Sequence, residues 1–427
     1  MPNLTCADSS EEEGRAKQPG LSIGSKAVRC GYNETRETTL LGDSMERRII
    51  GLKELEAIDG KRSEAVVRAV AKTSPILADA ITEFTYGDIF SRAELGRRER
   101  ELITVALLAA MGGAETQLRV HLSAALRCGA EYDELIALCE HLAPYAGFPR
   151  ALNALSELRA ILEERGDKRP SPARPFRMCD HETLLSDTGK GDPIFLLHAL
   201  GLDWRVWRDV IPALVKSHRV IAYDLRAHGH AAAAPRPISL ERLAQDLLHL
   251  MEALKIRRAQ IVGFSFGGCV AQKFALAHPE RVTSLALVAT TAKPQESFTQ
   301  RASAAEHHGM QAQVISTLTR WFTPEMLAEN PWYVRYARER VTRSIVADWA
   351  DSWRAMAEID TFESLSQLRM STRVIAAELD TATPPSGMRE IADCIPHSHF
   401  SLIHGAPHMV TLAKPTETAA AILSHRS

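Results

Sequence analysis

Cysteine is sparse in this sequence and never closely paired: seven occur in 427 residues, at positions 6, 30, 128, 139, 179, 269 and 394, with no CxxC among them. That spacing argues against a disulfide framework or a zinc site, and for a reducing compartment, the cytoplasm. No apolar run approaches the roughly 20 residues that span a bilayer. The opening MPNLTCADSSEEEGRAKQPG has no apolar core of a signal peptide. Charge is not in excess in either direction: the formal net charge is −2, which gives no general drive toward nucleic acid or an anionic membrane. No internal repeat is visible. What remains is ordinary globular material, 45% hydrophobic and 24% charged, in a chain long enough for two domains.

Composition divides it. Residues 1–45 are polar and aperiodic and read as a disordered extension. A second seam, 167–176, places three prolines among charged and small residues, the composition of a stiff, extended linker. Between the seams, 46–166 reads as all helix. Glu99–Ala110 (ERELITVALLAA) is helix-forming and stops at Met111-Gly112-Gly113, and helical spacing recurs over Leu118–Arg127, Tyr132–His141 and Arg150–Glu164. Its central helix is strongly apolar, which fits a buried helix or an oligomer seam.

After the linker the pattern changes. Pro193–His198, Arg219–Tyr223, Ala259–Gly263, Ser284–Val288, Arg373–Ala377 and His399–Ile403 are short apolar runs bounded by turn residues, with helical segments such as Leu240–Leu254 and Gly267–His278 between them. Strands alternating with helices predict an α/β domain over 177–427, built on a mostly parallel sheet.

Within it, GFSFGG (Gly263–Gly268) follows a predicted strand and opens a predicted helix. That is the context of a nucleophile elbow, in which small residues permit a tight turn that lifts Ser265 off the sheet. A serine hydroxyl needs a base, and the base needs a carboxylate to orient it. Asp380 directly follows the strand RVIAAEL, and His408 lies beyond the strand His399–Ile403, in HGAPHMV. Both sit just past strand C-terminal ends, where α/β sites assemble. His404 is the competing histidine. The oxyanion donors expected by this geometry are the amides of Phe266 and of Leu200, in the loop after PIFLLH.

Residues 193–425 resemble the α/β-hydrolases and, within them, the 3-oxoadipate enol-lactonases. The resemblance lies in LHALGLDWRVW (Leu197–Trp207), YDLRAHGH (Tyr223–His230), HPERVTSLALVATTA (His278–Ala292), RWFTP (Arg320–Pro324) and AAELDTATPP. One departure is RAHGH, where the family usually has a glycine before HG. A helical cap over about 293–365 carries Trp321, Trp332, Trp349 and Trp353, read chiefly as cap core. It also carries Arg320, Arg335, Arg338, Arg340 and Arg343, any one of which is a candidate for a substrate carboxylate.

The helical domain resembles the 4-carboxymuconolactone decarboxylases from about Gly87 to Leu155. Related alkylhydroperoxidases use a CxxC seven and four residues before a histidine; opposite His121 those positions are Ala114 and Gln117, which excludes thiol peroxidase chemistry. Decarboxylation of the lactone leaves charge that spreads to the lactone oxygen, so no metal or organic cofactor is required, only a hydrogen-bond donor and an acid. The resemblance makes His121 the candidate, with Gln117, Glu134, His141 and Asp88 as possible neighbours. Gln117 stands where many such decarboxylases have a glutamate.

The two families catalyse consecutive steps, because the decarboxylase product is the enol-lactone that the second family opens. The pairing implies a bifunctional enzyme of protocatechuate breakdown, the β-ketoadipate pathway, acting on a small-molecule lactone carboxylate without nucleic acid, membrane or metal, and assembling as a homo-oligomer through the helical domain. The decarboxylase-like half comes first here, the reverse of the expected order. Gln117 and this order keep a second reading open: a serine esterase or lactonase with another substrate, whose helical domain only builds the oligomer.

Overall fold

The computed structural model describes residues 34–165 and 173–424. The chain divides into two compact units, Met1–Leu152 and Asn153–Ser427.

The first unit is helical. α1 (Glu34–Asp59), α2 (Lys61–Ala71) and α3 (Pro75–Asp79) lead into a π-helical stretch, Ala80–Phe90. α4 (Arg97–Met111), α5 (Glu115–Arg127), α6 (Tyr132–Ala146) and α7 (Phe148–Arg165) follow, and the division between the units falls inside α7. Because α1 begins at Glu34, the extension expected to lack structure over 1–45 is helical in its last residues, where Glu, Arg and Leu favour helix; residues 1–33 lie outside the described residues. α4 stops at Gly112, whose φ of 70° ends the helix at the GG signal. Its apolar residues occupy two faces. Val105 and Ala109 are buried, whereas Ile103, Leu107 and Met111 are 47%, 59% and 67% exposed.

The second unit is α/β. Its eight strands are β1 (Arg174–Arg177), β2 (Glu182–Gly189), β3 (Asp192–Leu197), β4 (His218–Tyr223), β5 (Ala259–Phe264), β6 (Val282–Val288), β7 (Ser371–Ala377) and β8 (Ser398–Ile403), in the spatial order β1-β2-β4-β3-β5-β6-β7-β8. The strands β3–β8 are those expected and run parallel, whereas β1 and β2 add an antiparallel edge. β1 takes up residues 174–176 of the expected linker, whose residues 167–172 lie outside the described residues. Every residue of β5 is buried, as in a strand covered on both faces. Around the sheet lie α8 (Ile211–Leu214), α9 (Leu240–Ala253), α10 (Phe266–Ala277), α15 (Pro385–Cys394), α16 (Val410–Ala413) and α17 (Pro415–Leu423). Between β6 and β7 the chain leaves the sheet to form the cap: α11 (Glu296–Trp321), α12 (Pro324–Glu329), α13 (Trp332–Arg343) and α14 (Val346–Ala357). α11 is two helices joined at Gly309, where φ is 72°.

Candidate active site

β5 delivers the chain into Ser265, which sits at φ 52°, ψ −115°. A non-glycine residue in that region is strained and persists only where its surroundings hold it. The Ser265 amide donates to the Val288 carbonyl (2.9 Å), the Thr290 hydroxyl donates to the Ser265 carbonyl (2.7 Å), and the Gly267 amide donates to the His198 carbonyl (3.1 Å). The flanking glycines are dictated by space. A Cβ at Gly263 would lie 2.3 Å from the Gly267 oxygen, one at Gly267 would lie 2.3 Å from the Leu197 oxygen, and one at Gly268 would lie 2.5 Å from Thr290.

The expected partners arrive at this serine. His408 Nε2 is 3.1 Å from Ser265 Oγ, and His408 Nδ1 is 2.8 Å from Asp380 Oδ2. Asp380 is buried and saturated with donors: its Oδ1 accepts the Ala382 and Thr383 amides at 2.7 and 2.9 Å, and its Oδ2 also accepts the Thr383 hydroxyl at 2.7 Å. With Asp380 ionised, His408 carries its proton on Nδ1 and leaves Nε2 free to accept from the serine hydroxyl. His404 goes elsewhere; it is exposed and 3.2 Å from Glu378.

Phe266 opens α10 and Leu200 lies in the loop after β3. Among the described residues neither amide donates a backbone hydrogen bond. The loop bearing Leu200 is held by His198, which sequence reasoning passed over. Its Nδ1–H donates to the Ala199 carbonyl (2.9 Å) and its Nε2 accepts the Leu225 amide (2.8 Å). Complete burial keeps this imidazole neutral, with its pKa down to about 3.

In the helical unit, His121 Nδ1 is 2.8 Å from Glu101 Oε2. Glu101 is fully buried, and its Oε1 has no hydrogen-bond partner among the described residues. The other expected neighbours are placed differently. Gln117 and His141 are exposed, Asp88 is bonded by Arg47 (2.8 Å), and Glu134 is taken by Arg98 and by the Glu131 amide at the start of α6. Glu101 was missed as a helix-forming residue in ERELITV. Its signal is its spacing, because it shares the buried face of α4 with Val105 and Ala109 at intervals of four.

Residues 192–415, more than half of the chain, match the alpha/beta hydrolase fold family. The chain belongs to that family. Residues 75–160 match the Carboxymuconolactone decarboxylase family and include both Glu101 and His121. Relatives of this α/β-hydrolase include 3-oxoadipate enol-lactonase 1 of Acinetobacter baylyi, 28% identical over 52% of this chain and 84% of its own length. Among solved structures, the enol-lactonase from Burkholderia xenovorans is 28% identical, with a TM-score of 0.56, over 58% of this chain and 98% of its own. A thermophilic esterase from Thermogutta terrifontis, solved with malate bound, is 27% identical, with a TM-score of 0.56, over 58% and 97%.

The cap of the hydrolase closes over Ser265. A narrow cavity, partly open to solvent, is lined by Ser265 and His408 below and by Arg301, Arg320, Trp321 and Trp353 from the cap. Both tryptophans are buried, so they serve as cap core and cavity wall together. Trp349 instead packs on the loop after β3, where a Cβ at Gly201 would lie 2.3 Å from its ring, and Trp332 stacks on Arg208. α13 reaches the same loop through buried Asp203, which accepts from the Tyr336 hydroxyl (2.9 Å) and pairs with Arg340 (3.1 Å). One trio of potential metal-ligating groups, Asp180, His181 and Asp246, occurs among the described residues. It surrounds the buried guanidinium of Arg226, which donates to both aspartates and so occupies the centre of the cluster. The five cysteines among the described residues are free thiols, and no helix there is long and apolar enough to cross a membrane.

Proposed function

We propose that the protein is a bifunctional 4-carboxymuconolactone decarboxylase and 3-oxoadipate enol-lactone hydrolase. The hydrogen-bonded run Asp380–His408–Ser265 beneath the cap carries the reading of the second activity. Ser265 Oγ attacks the lactone carbonyl as His408 Nε2 takes its proton, and Asp380 steadies the imidazolium. The Phe266 and Leu200 amides receive the oxyanion. Collapse of the tetrahedral intermediate breaks the ring C–O bond and expels an enolate, which takes the proton from His408 and becomes a ketone, so ring opening is effectively one-way. Water, deprotonated by His408, then cleaves the acyl-serine to give 3-oxoadipate.

In the helical half, loss of carbon dioxide leaves an electron pair delocalised onto the lactone oxygen, and carbon must be reprotonated. Glu101 supplies the carboxylate that Gln117 lacks: buried against His121, it holds the imidazole ready to deliver a proton. No metal or organic cofactor is required. The exposed Ile103–Leu107–Met111 face of α4 supports assembly as a homo-oligomer, and the unpaired thiols suit the cytoplasm. The ligand is a small lactone carboxylate rather than nucleic acid or a membrane; that a structural relative was solved with a dicarboxylate, malate, supports an anionic ligand.

The test feeds 4-carboxymuconolactone to wild type, Ser265→Ala, His121→Ala and Glu101→Gln, with products identified by NMR. Wild type makes 3-oxoadipate, Ser265→Ala stops at the enol-lactone, and the two helical variants leave the substrate intact. If wild type leaves the lactone untouched yet hydrolyses simple esters through Ser265, the decarboxylase assignment falls and the helical unit is reduced to a scaffold.

A further inference from the structure

Two cations share the cavity above Ser265, and nothing in the described residues neutralises them. Arg301 lies on the first half of α11 and Arg320 on the second, beyond the kink at Gly309, and both line the same space as Ser265 and His408. Most arginines of the cap are otherwise engaged: Arg340 pairs with Asp203, Arg343 with Glu339, Arg354 with Glu306 and Asp351, and Arg338 bonds the Asn330 side chain. Arg320 instead donates to the Ser316 carbonyl (2.8 Å) and the Thr317 hydroxyl (3.4 Å), both on its own helix. Arg301 lies 4.8 Å over the Trp353 ring and 5.6 Å over that of Phe298. Neither has a carboxylate within ion-pair distance among the described residues.

That arrangement is costly without a ligand. Burial and the neighbouring Arg301 push the Arg320 guanidinium down to about 10, and burial pushes Arg301 down as well. Two like charges in a partly desolvated cavity repel each other, and each wants an anion. Trp353, which lines the same cavity and is more than nine-tenths buried, keeps an indole N–H without a partner among the described residues. A guanidinium fork matches a carboxylate by paired hydrogen bonds, and an indole N–H is a further donor.

We infer that Arg301 and Arg320 form a carboxylate clamp that selects esters and lactones bearing a second, free carboxylate. The inference rests on Ser265 being the nucleophile and adds what that reading leaves open: which residues recognise the acid, and that neutral esters of equal length are poor substrates. Of the cap arginines singled out from sequence, only Arg320 reaches the cavity; Arg301 comes from nineteen residues earlier, brought alongside by the kinked helix.

The test compares mono-4-nitrophenyl adipate with 4-nitrophenyl hexanoate, esters of equal chain length with and without a terminal carboxylate. The variants are Arg301→Gln, Arg320→Gln, Arg320→Lys and Ser265→Ala. Wild type is expected to favour the adipate ester, and each glutamine variant to lower the adipate-to-hexanoate ratio of kcat/KM by roughly 10- to 100-fold, chiefly through KM, which is the range for a lost charge-assisted hydrogen bond. Arg320→Lys recovers part of the ratio. A ratio equal to wild type in both glutamine variants, with Ser265→Ala inactive, overturns the clamp and leaves the nucleophile assignment standing. Full activity in Ser265→Ala overturns that assignment itself. Should the variants fail to fold, wild type alone decides: adipate must inhibit hexanoate hydrolysis competitively while hexanamide does not, and equal inhibition by both, or by neither, overturns the clamp.

Discussion

Replacing Asp380 with asparagine changes one atom of the buried carboxylate, and the surrounding donors dictate the result. Oδ1 accepts two backbone amides, from Ala382 and Thr383, which cannot reverse. The asparagine oxygen must therefore take that place, and its NH2 group faces the Thr383 hydroxyl and His408 Nδ1. The hydroxyl turns to accept, but the imidazole must move its proton to Nε2, the atom that faces Ser265 Oγ at 3.1 Å. A histidine protonated there accepts nothing from the serine. Keeping the productive tautomer sets two N–H groups against each other at 2.8 Å, with a charge-assisted hydrogen bond lost and a buried donor unsatisfied. At about 1.5–3 and 1–3 kcal/mol respectively, the productive form lies roughly 2.5 to 6 kcal/mol higher, equivalent to about two to four powers of ten in kcat. Initial rates of ester hydrolysis measure it, with a thermal melt beside them to show the fold intact. A properly folded Asp380→Asn enzyme within tenfold of wild type would refute the reasoning.

Gly267→Ala drives a Cβ against the Leu197 and His198 carbonyls, main-chain atoms that cannot rotate away; it should cost about 1–3 kcal/mol in urea unfolding and more in kcat than in stability, and wild-type kcat would contradict the elbow packing. His198 and His228 are held by burial at about 3 and about 4, below the ordinary 6.5. Between pH 6.5 and 4 the unfolded chain therefore binds two protons that the folded one refuses, so stability falls as pH falls. Asp224, its carboxyl pushed up by burial and by Asp203, binds a proton in the folded state and opposes them with one. Urea midpoints across that window should decline toward acid, and midpoints that rise toward acid would contradict the burial of the two imidazoles. Leu107→Glu places charge in the exposed apolar row of α4 and should shift the mass measured by light scattering toward monomer, while a monomeric wild type would remove the case for assembly through that face.

The convergence of Ser265, Asp380 and His408 was legible because it follows from strand ends. Ser265, Asp380 and His408 each come just after an apolar run, and a parallel sheet collects such positions at one edge. The antiparallel strands β1 and β2 were not legible: RPFR has only four residues and ETLLSDTG is mostly polar, and their pairing comes from the neighbouring ladder rather than from their own pattern. Glu101 was hidden because a buried carboxylate contradicts composition until its partner is known, and that partner sits on another helix. Arg301 was hidden because a kink, invisible to a single helical period across 296–321, decides which side chains α11 presents to the cavity.

The parallel sheet has a consequence for timing. Ser265 and His408 stand 143 residues apart and meet only when β5 through β8 have paired. Contacts of such long sequence separation form late, because loop-closure entropy is paid before pairing rewards it. Glu101 and His121 are 20 residues apart, on the adjacent helices α4 and α5. In a refolding protein the helical dyad should therefore be complete well before any serine can be acylated. Under the proposed chemistry, such a population releases enol-lactone as a transient, and the lag before ring opening begins times the closure of the sheet.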